Sequence, residues 1–190
     1  MRLTLKLRLW TPWLRAKARL RDFVAPSPLA MFILIMGVTG CGKTTVGRLL
    51  SATLGWPFYD ADEFHSPVNV RKMASGVSLT DEDRGPWLDE LRALVAERSA
   101  QGEDGVLACS ALKQSYRRTL STGANLVVVY LKAEADLIRS RLAERRGHYM
   151  PQRLIESQFL DLEEPEGAIT IPAAWPPEQI VSAIRSQIGT

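Results

Sequence analysis

The sequence contains few of the residues that hold metals or form disulfides. Its 190 residues include two cysteines, Cys41 and Cys109, and two histidines, His65 and His148. The cysteines form no CxxC pair, which argues against a disulfide framework or a metal cage and favours a reducing, cytoplasmic location. The histidines have no third ligand near them in the sequence, so a zinc site is not expected. No apolar run is as long as the roughly 18 residues that a membrane-spanning helix needs.

Positive charge is concentrated in the first thirty residues. The formal net charge is +3, yet residues 1–30 carry seven basic residues and one acidic residue. The remainder is therefore mildly acidic, and the net charge gives no reason to expect a nucleic-acid partner.

Three interpretations of residues 1–30 stay open. The segment resembles a transit-type presequence, a basic amphipathic patch that touches membranes, or an upstream extension that leaves Met31 as the start. The remaining length suits one domain, since domains usually have about 100–200 residues. We therefore expect a basic N-terminal extension over residues 1–30 and a single domain over residues 31–190.

From residue 31 onward, apolar segments alternate with helical patterns. The continuous apolar run at 32–36 is typical of a strand that is buried on both faces. Strand–helix alternation at this spacing predicts an α/β fold in which helices cover both faces of a parallel sheet. The predicted strands are 32–36, 57–59, 106–109, 126–131 and 169–171, and the predicted helices are 44–54, 83–99, 111–120, 134–145, 151–162 and 177–188.

A glycine-rich loop follows the first predicted strand. Residues 37–44 (GVTGCGKT) match G-x4-G-K-[ST], with a buried strand before them and a helix after them, as the motif requires. Glycines let backbone N–H groups face phosphates, Lys43 would reach the β- and γ-phosphates, and the Thr44 hydroxyl would bind Mg²⁺. The motif predicts ATP and Mg²⁺ as ligands. The predicted nucleotide-binding residues here are Gly37, Val38, Thr39, Gly40, Cys41, Gly42, Lys43, Thr44 and Thr45.

Two aspartates follow the second predicted strand. Many P-loop proteins place a metal-binding Asp after an apolar strand, but the strand at 106–109 ends without a carboxylate, whereas Asp60 and Asp62 follow 57–59. Alternate residues of an extended segment point the same way, so both carboxylates can face the loop. We predict that Asp60 supports Mg²⁺ and that Asp62 accepts the proton of an attacking hydroxyl. The alternative is that either residue caps a helix.

Longer motifs resemble those of gluconate kinases. Residues 45–62 fit both shikimate kinase and gluconate kinase, but residues 65–88 resemble H-P-x-x-N-x-x-K-M-x-x-G-x-P-L-x-D-x-D-R-x-P-W-L of gluconate kinases. Residues 109–117 resemble that family's C-S-A-L-K-x-x-Y-R, and residues 141–149 and 157–165 resemble its lid and the segment after it. The glycine triplet of shikimate kinase is missing. The departures are Pro67, which lies one place late, Val77-Ser78 in place of x-P, and Tyr149 in place of Phe.

The resemblance implies a P-loop kinase fold with a five-stranded parallel sheet and a small helical lid. It also implies transfer of the γ-phosphoryl group of ATP to D-gluconate, and relatives suggest a homodimer. Two other functions stay open. One is a kinase of another small hydroxy acid such as shikimate, and the other is a nucleotide-binding switch protein.

The acceptor side should combine cations with neutral hydrogen-bonding groups, because gluconate is a carboxylate with a chain of hydroxyls. We place His65 and Asn69 on one helix face near Lys72, and Lys113 on a helix that Ser110 caps. Arg84 stands at a helix start, where the helix dipole disfavours a cation, so an anionic ligand is expected there. For each residue the alternative is a solvated surface position. The predicted substrate-binding residues are Asp62, His65, Asn69, Lys72, Arg84, Lys113, His148 and Gln158.

The predicted lid carries two arginines on one helix face. Arg141 and Arg145 are four residues apart, a spacing at which like charges repel. An ATP polyphosphate between them would explain the spacing, with Arg141 stabilising charge in the transition state. His148 would then lie in a lid that closes over substrate. The alternative is an ordinary basic surface helix. The predicted catalytic residues are Lys43, Asp62, Arg84 and Arg141.

Overall fold

The computed structural model describes residues 30–144 and 152–189. The predictions for residues 1–29, Arg145, His148 and Tyr149 lie outside these ranges. No helix in the described part of the chain combines the length and apolar character that crossing a membrane requires.

The described residues form one five-stranded sheet in which every pairing is parallel. The strand order is β2-β3-β1-β4-β5, and Ile33 of β1 lies opposite Val106 of β3 and Val127 of β4. All five predicted strands are confirmed, with ends shifted by one residue at most. Their bounds are β1 Met31–Met36, β2 Phe58–Asp60, β3 Gly105–Ala108, β4 Asn125–Lys132 and β5 Ile169–Pro172. Because the strands are parallel, β1 and β2 end at the same edge of the sheet.

Helices connect the strands. They are α1 Lys43–Leu54, α2 Pro67–Ala74, α3 Asp81–Ala100, α4 Gln114–Ser121, α5 Ala135–Glu144, α6 Gln152–Asp161 and α7 Pro177–Ile188, with a 3₁₀ turn at Ala61–Phe64. The predicted helices are confirmed as elements, although two of them begin two or three residues away from their predicted starts. Helix α3 begins before residue 83 because the Thr80 hydroxyl accepts from the Asp83 N–H while the Asp83 carboxylate accepts from the Thr80 N–H, which forms a capping box.

Helix α4 begins later than predicted. Ala111 has a positive φ of 41°, which interrupts a helical path, and the helix starts at Gln114 with Lys113 as its N-cap. The prediction that Ser110 caps this helix is therefore wrong.

The core lies on both faces of the sheet. Alternate residues of β1 enter two apolar clusters: Ile33 and Ile35 pack with α1, α5 and α7, whereas Phe32 and Leu34 pack with α3 and α4. All four are fully buried. The prediction of a strand buried on both faces is confirmed, and the packing fixes α1 and α3 beside the carboxyl ends of β1 and β2.

Candidate active site

The loop between β1 and α1 forms a backbone cradle. Its glycines Gly37, Gly40 and Gly42 have φ values of 142°, 82° and 108°. A Cβ on Gly37 would lie 2.8 Å from the carbonyl oxygen of Leu131, so the first glycine is required by space as well as by conformation. Gly42 is the N-cap of α1, so the positive end of the helix dipole opens into the cradle.

The two polar side chains of the loop motif have partners within the site. The Lys43 ammonium donates to the Val38 carbonyl at 3.1 Å and so lies across the loop. The Thr44 hydroxyl donates to one carboxylate oxygen of Asp60 at 2.9 Å. The cradle and the acidic turn after β2 are thus joined directly, as their common sheet edge predicts.

Asp60 has two roles in the local structure. Its second oxygen accepts from the Asp62 N–H at 3.2 Å, which caps the 3₁₀ turn, so the helix-cap interpretation and the proximity to Thr44 are both correct for this residue. The Asp62 side chain is exposed in the first turn that follows. The Asp60 carboxylate therefore contacts the cradle through Thr44, whereas the Asp62 carboxylate is exposed and accessible to a ligand from solvent.

The oxygen atoms of Thr44 and Asp60 fit a magnesium ion. Mg²⁺ bound with a nucleotide usually takes one or two protein oxygens, while phosphates and water complete its shell. Within residues 30–144 and 152–189, no three His, Cys, Asp or Glu side chains are grouped to hold a metal unaided. The donor set suits a metal that arrives with phosphates.

His65 lies beside this turn rather than on helix α2. It is the C-cap of the 3₁₀ turn, and α2 begins at Pro67 with Ser66 as N-cap, so the prediction that His65 shares a helix face with Asn69 is wrong. The imidazole instead stacks on the Trp87 indole, with ring centroids 4.4 Å apart and planes 15° apart. Its Nδ1 is buried and has no hydrogen-bond partner among the described residues.

The charge of His65 depends on this position. Burial lowers its pKa from the usual 6.5, an effect that Asp62 opposes and Arg84 reinforces. The imidazole is therefore neutral at pH 7, which suits hydrogen bonding to a hydroxyl.

Asn69 and Lys72 attach α2 to the start of α3. The buried Asn69 amide donates to the Asp83 carbonyl at 2.8 Å, and the Lys72 ammonium pairs with the Asp83 carboxylate. Asn69 thus has a structural reason to occupy a helix that it favours poorly. The structure brings both residues beside the first turn of α3, and their contact with substrate stays a prediction.

A second ionic cluster forms where α3 meets α4. Lys113 donates to both carboxylate oxygens of Asp81, at 2.8 and 2.9 Å, and the Tyr116 hydroxyl donates to the same carboxylate. Arg84 lies 3.7 Å from Asp81 and donates to the Tyr116 hydroxyl at 3.3 Å. The Lys113 hydrogen bond, followed by that of Tyr116, lowers the pKa of Asp81.

Asp81 therefore supplies the anion that the dipole argument required for Arg84. Neither Asp81 nor Tyr116 was predicted as a site residue, although both stand in the matched motifs 65–88 and 109–117. The structure brings Arg84 and Lys113 together around one carboxylate.

Arg141 and Gln158 contact the cradle from α5 and α6. The Arg141 guanidinium donates to the Cys41 carbonyl at 3.0 Å and to the Ala173 carbonyl at 2.8 Å. The Gln158 amide oxygen accepts from the Thr39 N–H at 2.7 Å, and its amide nitrogen donates to the Thr39 hydroxyl at 3.2 Å. Gln158 thus lies at the loop, and its contact with substrate stays a prediction.

The sequence and the fold are similar to those of known kinases. The family model described as shikimate kinase matches residues 39–163. A probable gluconokinase of Mus musculus is 47% identical over 151 residues, which cover 70% of this chain and 82% of that protein. A solved gluconokinase from Sinorhizobium meliloti has a TM-score of 0.75 and 38% identity, covering 86% of this chain and 94% of the other. A solved sugar kinase from a Janibacter species has a TM-score of 0.80 and 36% identity, covering 84% and 95%.

Proposed function

Because the chain belongs to the gluconokinase family of P-loop kinases, we propose that it transfers the γ-phosphoryl group of ATP to D-gluconate, forming 6-phosphogluconate and ADP. The observation that carries this proposal is the 2.9 Å hydrogen bond from Thr44 to Asp60, because it joins a phosphate cradle to an acidic turn. The exposed carboxylate of Asp62, two residues further on, is open to an acceptor hydroxyl.

The proposed step needs a proton acceptor and positive charge. As the acceptor oxygen bonds to the γ-phosphorus, its proton passes to Asp62, while the bond from that phosphorus to the bridging oxygen breaks and ADP leaves. We assign to Lys43 and Arg141 the stabilisation of the negative charge that spreads over the transferred phosphoryl group. Thr44 and Asp60 would hold Mg²⁺, whose contribution is to neutralise charge on the phosphates.

The acceptor is assigned to the side of the site formed by α2, α3 and α4. Arg84 and Lys113 are candidates for its carboxylate, and the neutral imidazole of His65 is a candidate for a hydroxyl. Asn69, Lys72, His148 and Gln158 stay in the predicted set, as does Arg145 for the nucleotide. We also retain a domain over residues 31–190, a homodimer and a cytoplasmic location as proposals.

An ADP-release assay with purified protein tests the proposal. ATP turnover is measured with gluconate, shikimate, glycerate and nucleoside monophosphates as acceptors, in the presence and absence of Mg²⁺. We expect turnover that depends on gluconate and Mg²⁺. Turnover without any acceptor, or a clear preference for another acceptor, would overturn the substrate assignment. Shikimate is included because the matching family model is that of shikimate kinase.

A further inference from the structure

The peptide group between Ala61 and Asp62 is held at both ends. Its N–H, which belongs to Asp62, donates to the Asp60 carboxylate at 3.2 Å. Its carbonyl, which belongs to Ala61, accepts a buried hydrogen bond of 2.7 Å from the indole N–H of Trp87. A trans peptide is rigid and planar, so two bonds on opposite sides of it fix its orientation.

The orientation of this peptide group sets the direction of the Asp62 side chain. Asp62 follows the peptide directly and lies in a single 3₁₀ turn, where few other backbone bonds restrain it. Ala61 is fully buried and Trp87 is 7% exposed, so bulk solvent does not reach this carbonyl while the indole is in place. An unpaired buried carbonyl is costly, and the peptide would rotate to find another donor.

The same indole also supports the acceptor side. Its face stacks on His65, whose centroid lies 4.4 Å away, so one side chain contacts both the acidic turn and a predicted substrate group. Trp87 belongs to α3, and Leu88 and Leu91 of the same helix are buried in the core. The ring therefore has a rigid base.

We propose that Trp87 is a positioning residue for phosphoryl transfer, which acts through its indole N–H by orienting Asp62 toward the acceptor hydroxyl. This inference rests on the proposed function, since it gives Asp62 the role of proton acceptor. Small displacements of a catalytic group lower the rate steeply, and about 1 Å can cost on the order of 100-fold.

The test compares Trp87→Phe with Trp56→Phe. Phenylalanine keeps a ring against His65 but removes the N–H. Trp56 is a matched control because its ring packs against the opposite core cluster, and its hydrogen bonds with Ser51 are made by its backbone N–H and carbonyl. We expect Trp87→Phe to lower kcat on the order of 10–100-fold with the KM for ATP unchanged, and Trp56→Phe to leave kcat unchanged at a temperature where both variants are folded.

A double-mutant cycle with Asp62→Asn separates positioning from general destabilisation. If Trp87 acts through Asp62, Trp87→Phe lowers kcat no further in the Asp62→Asn protein. Additive losses, or equal kcat in the two tryptophan variants, would overturn the inference. If Trp87→Phe does not fold, benzothienylalanine at position 87, which replaces the N–H with sulfur, makes the same comparison. Failure of the proposed function is distinguished by the wild-type protein, which would then show no gluconate-dependent turnover.

Discussion

The neighbouring aspartates allow the metal role and the proton-acceptor role to be separated by isosteric substitution. In Asp60→Asn the amide oxygen can still accept from Thr44, whose hydroxyl lies 2.9 Å from the carboxylate, so the link between loop and turn is retained while the charge is lost. We expect the Mg²⁺ concentration for half-maximal activity to rise on the order of 10–100-fold. In Asp62→Asn the exposed side chain keeps its shape and loses its basicity.

The expected loss for Asp62→Asn is set by proton transfer. General base catalysis usually contributes about 10²–10⁴-fold, and each factor of ten corresponds to about 1.4 kcal/mol, so the activation barrier should rise by roughly 3–5.5 kcal/mol. Steady-state ADP release at several Mg²⁺ concentrations measures both effects, with nucleotide binding followed by calorimetry. Nearly wild-type kcat in Asp62→Asn, or the same Mg²⁺ profile in both variants, would refute this division of roles.

Three further predictions follow from local geometry. Proton NMR should show that one of the two histidines titrates below pH 6.5, and that signal should be missing from the spectrum of His65→Gln. As the pH drops below about 6.5, the melting temperature of the wild-type protein should fall more than that of the variant, because the unfolded wild-type chain then binds more protons at His65 than the folded chain does. Gly37→Ala places a Cβ 2.8 Å from a backbone oxygen at a φ of 142°, so denaturant unfolding should show a loss of about 1–3 kcal/mol, and unchanged stability would contradict the cradle geometry. Thr80→Ala should cost about 0.5–2 kcal/mol by removing the capping box of α3, whereas Thr80→Ser should retain most of it; equal losses would argue against the cap.

The fold was predictable because its strands are local and apolar. Residues 32–36 are buried on both faces of the sheet, and a continuous apolar run of this kind predicts a central parallel strand even when the neighbouring strands are not known. Helix starts were harder to predict, because they depend on single side-chain bonds or on one backbone angle. The capping box at Thr80 and the positive φ of Ala111 are examples.

The geometry of the proposed phosphate side was also predictable, for a related reason. The glycine loop and α1 are contiguous in sequence, and the acidic turn meets them because parallel strands share a carboxyl edge. The proposed acceptor side joins residues that are far apart in sequence, such as Asp81 and Lys113, whose separation is 32 residues. The periodicity of helices and strands relates only residues that are close in sequence, so it cannot predict such a pairing. Residue type alone therefore assigned Lys113 to a ligand without revealing the carboxylate that it already contacts.

The internal partners of these cations change what substrate binding must accomplish. Lys72 pairs with Asp83, and Lys113 and Arg84 lie around Asp81. Both carboxylates belong to the first turn of α3. A substrate carboxylate that reaches this cluster exchanges one anionic partner for another, and the net gain in free energy is much smaller than the number of cations suggests. Selectivity must then come from the positions of the charges rather than from their sum. Those positions are set by α3, which also carries the indole that holds the acidic turn. The first two turns of α3 thus hold both the proposed acceptor cations and the proposed base, and a change there should alter substrate recognition and turnover together.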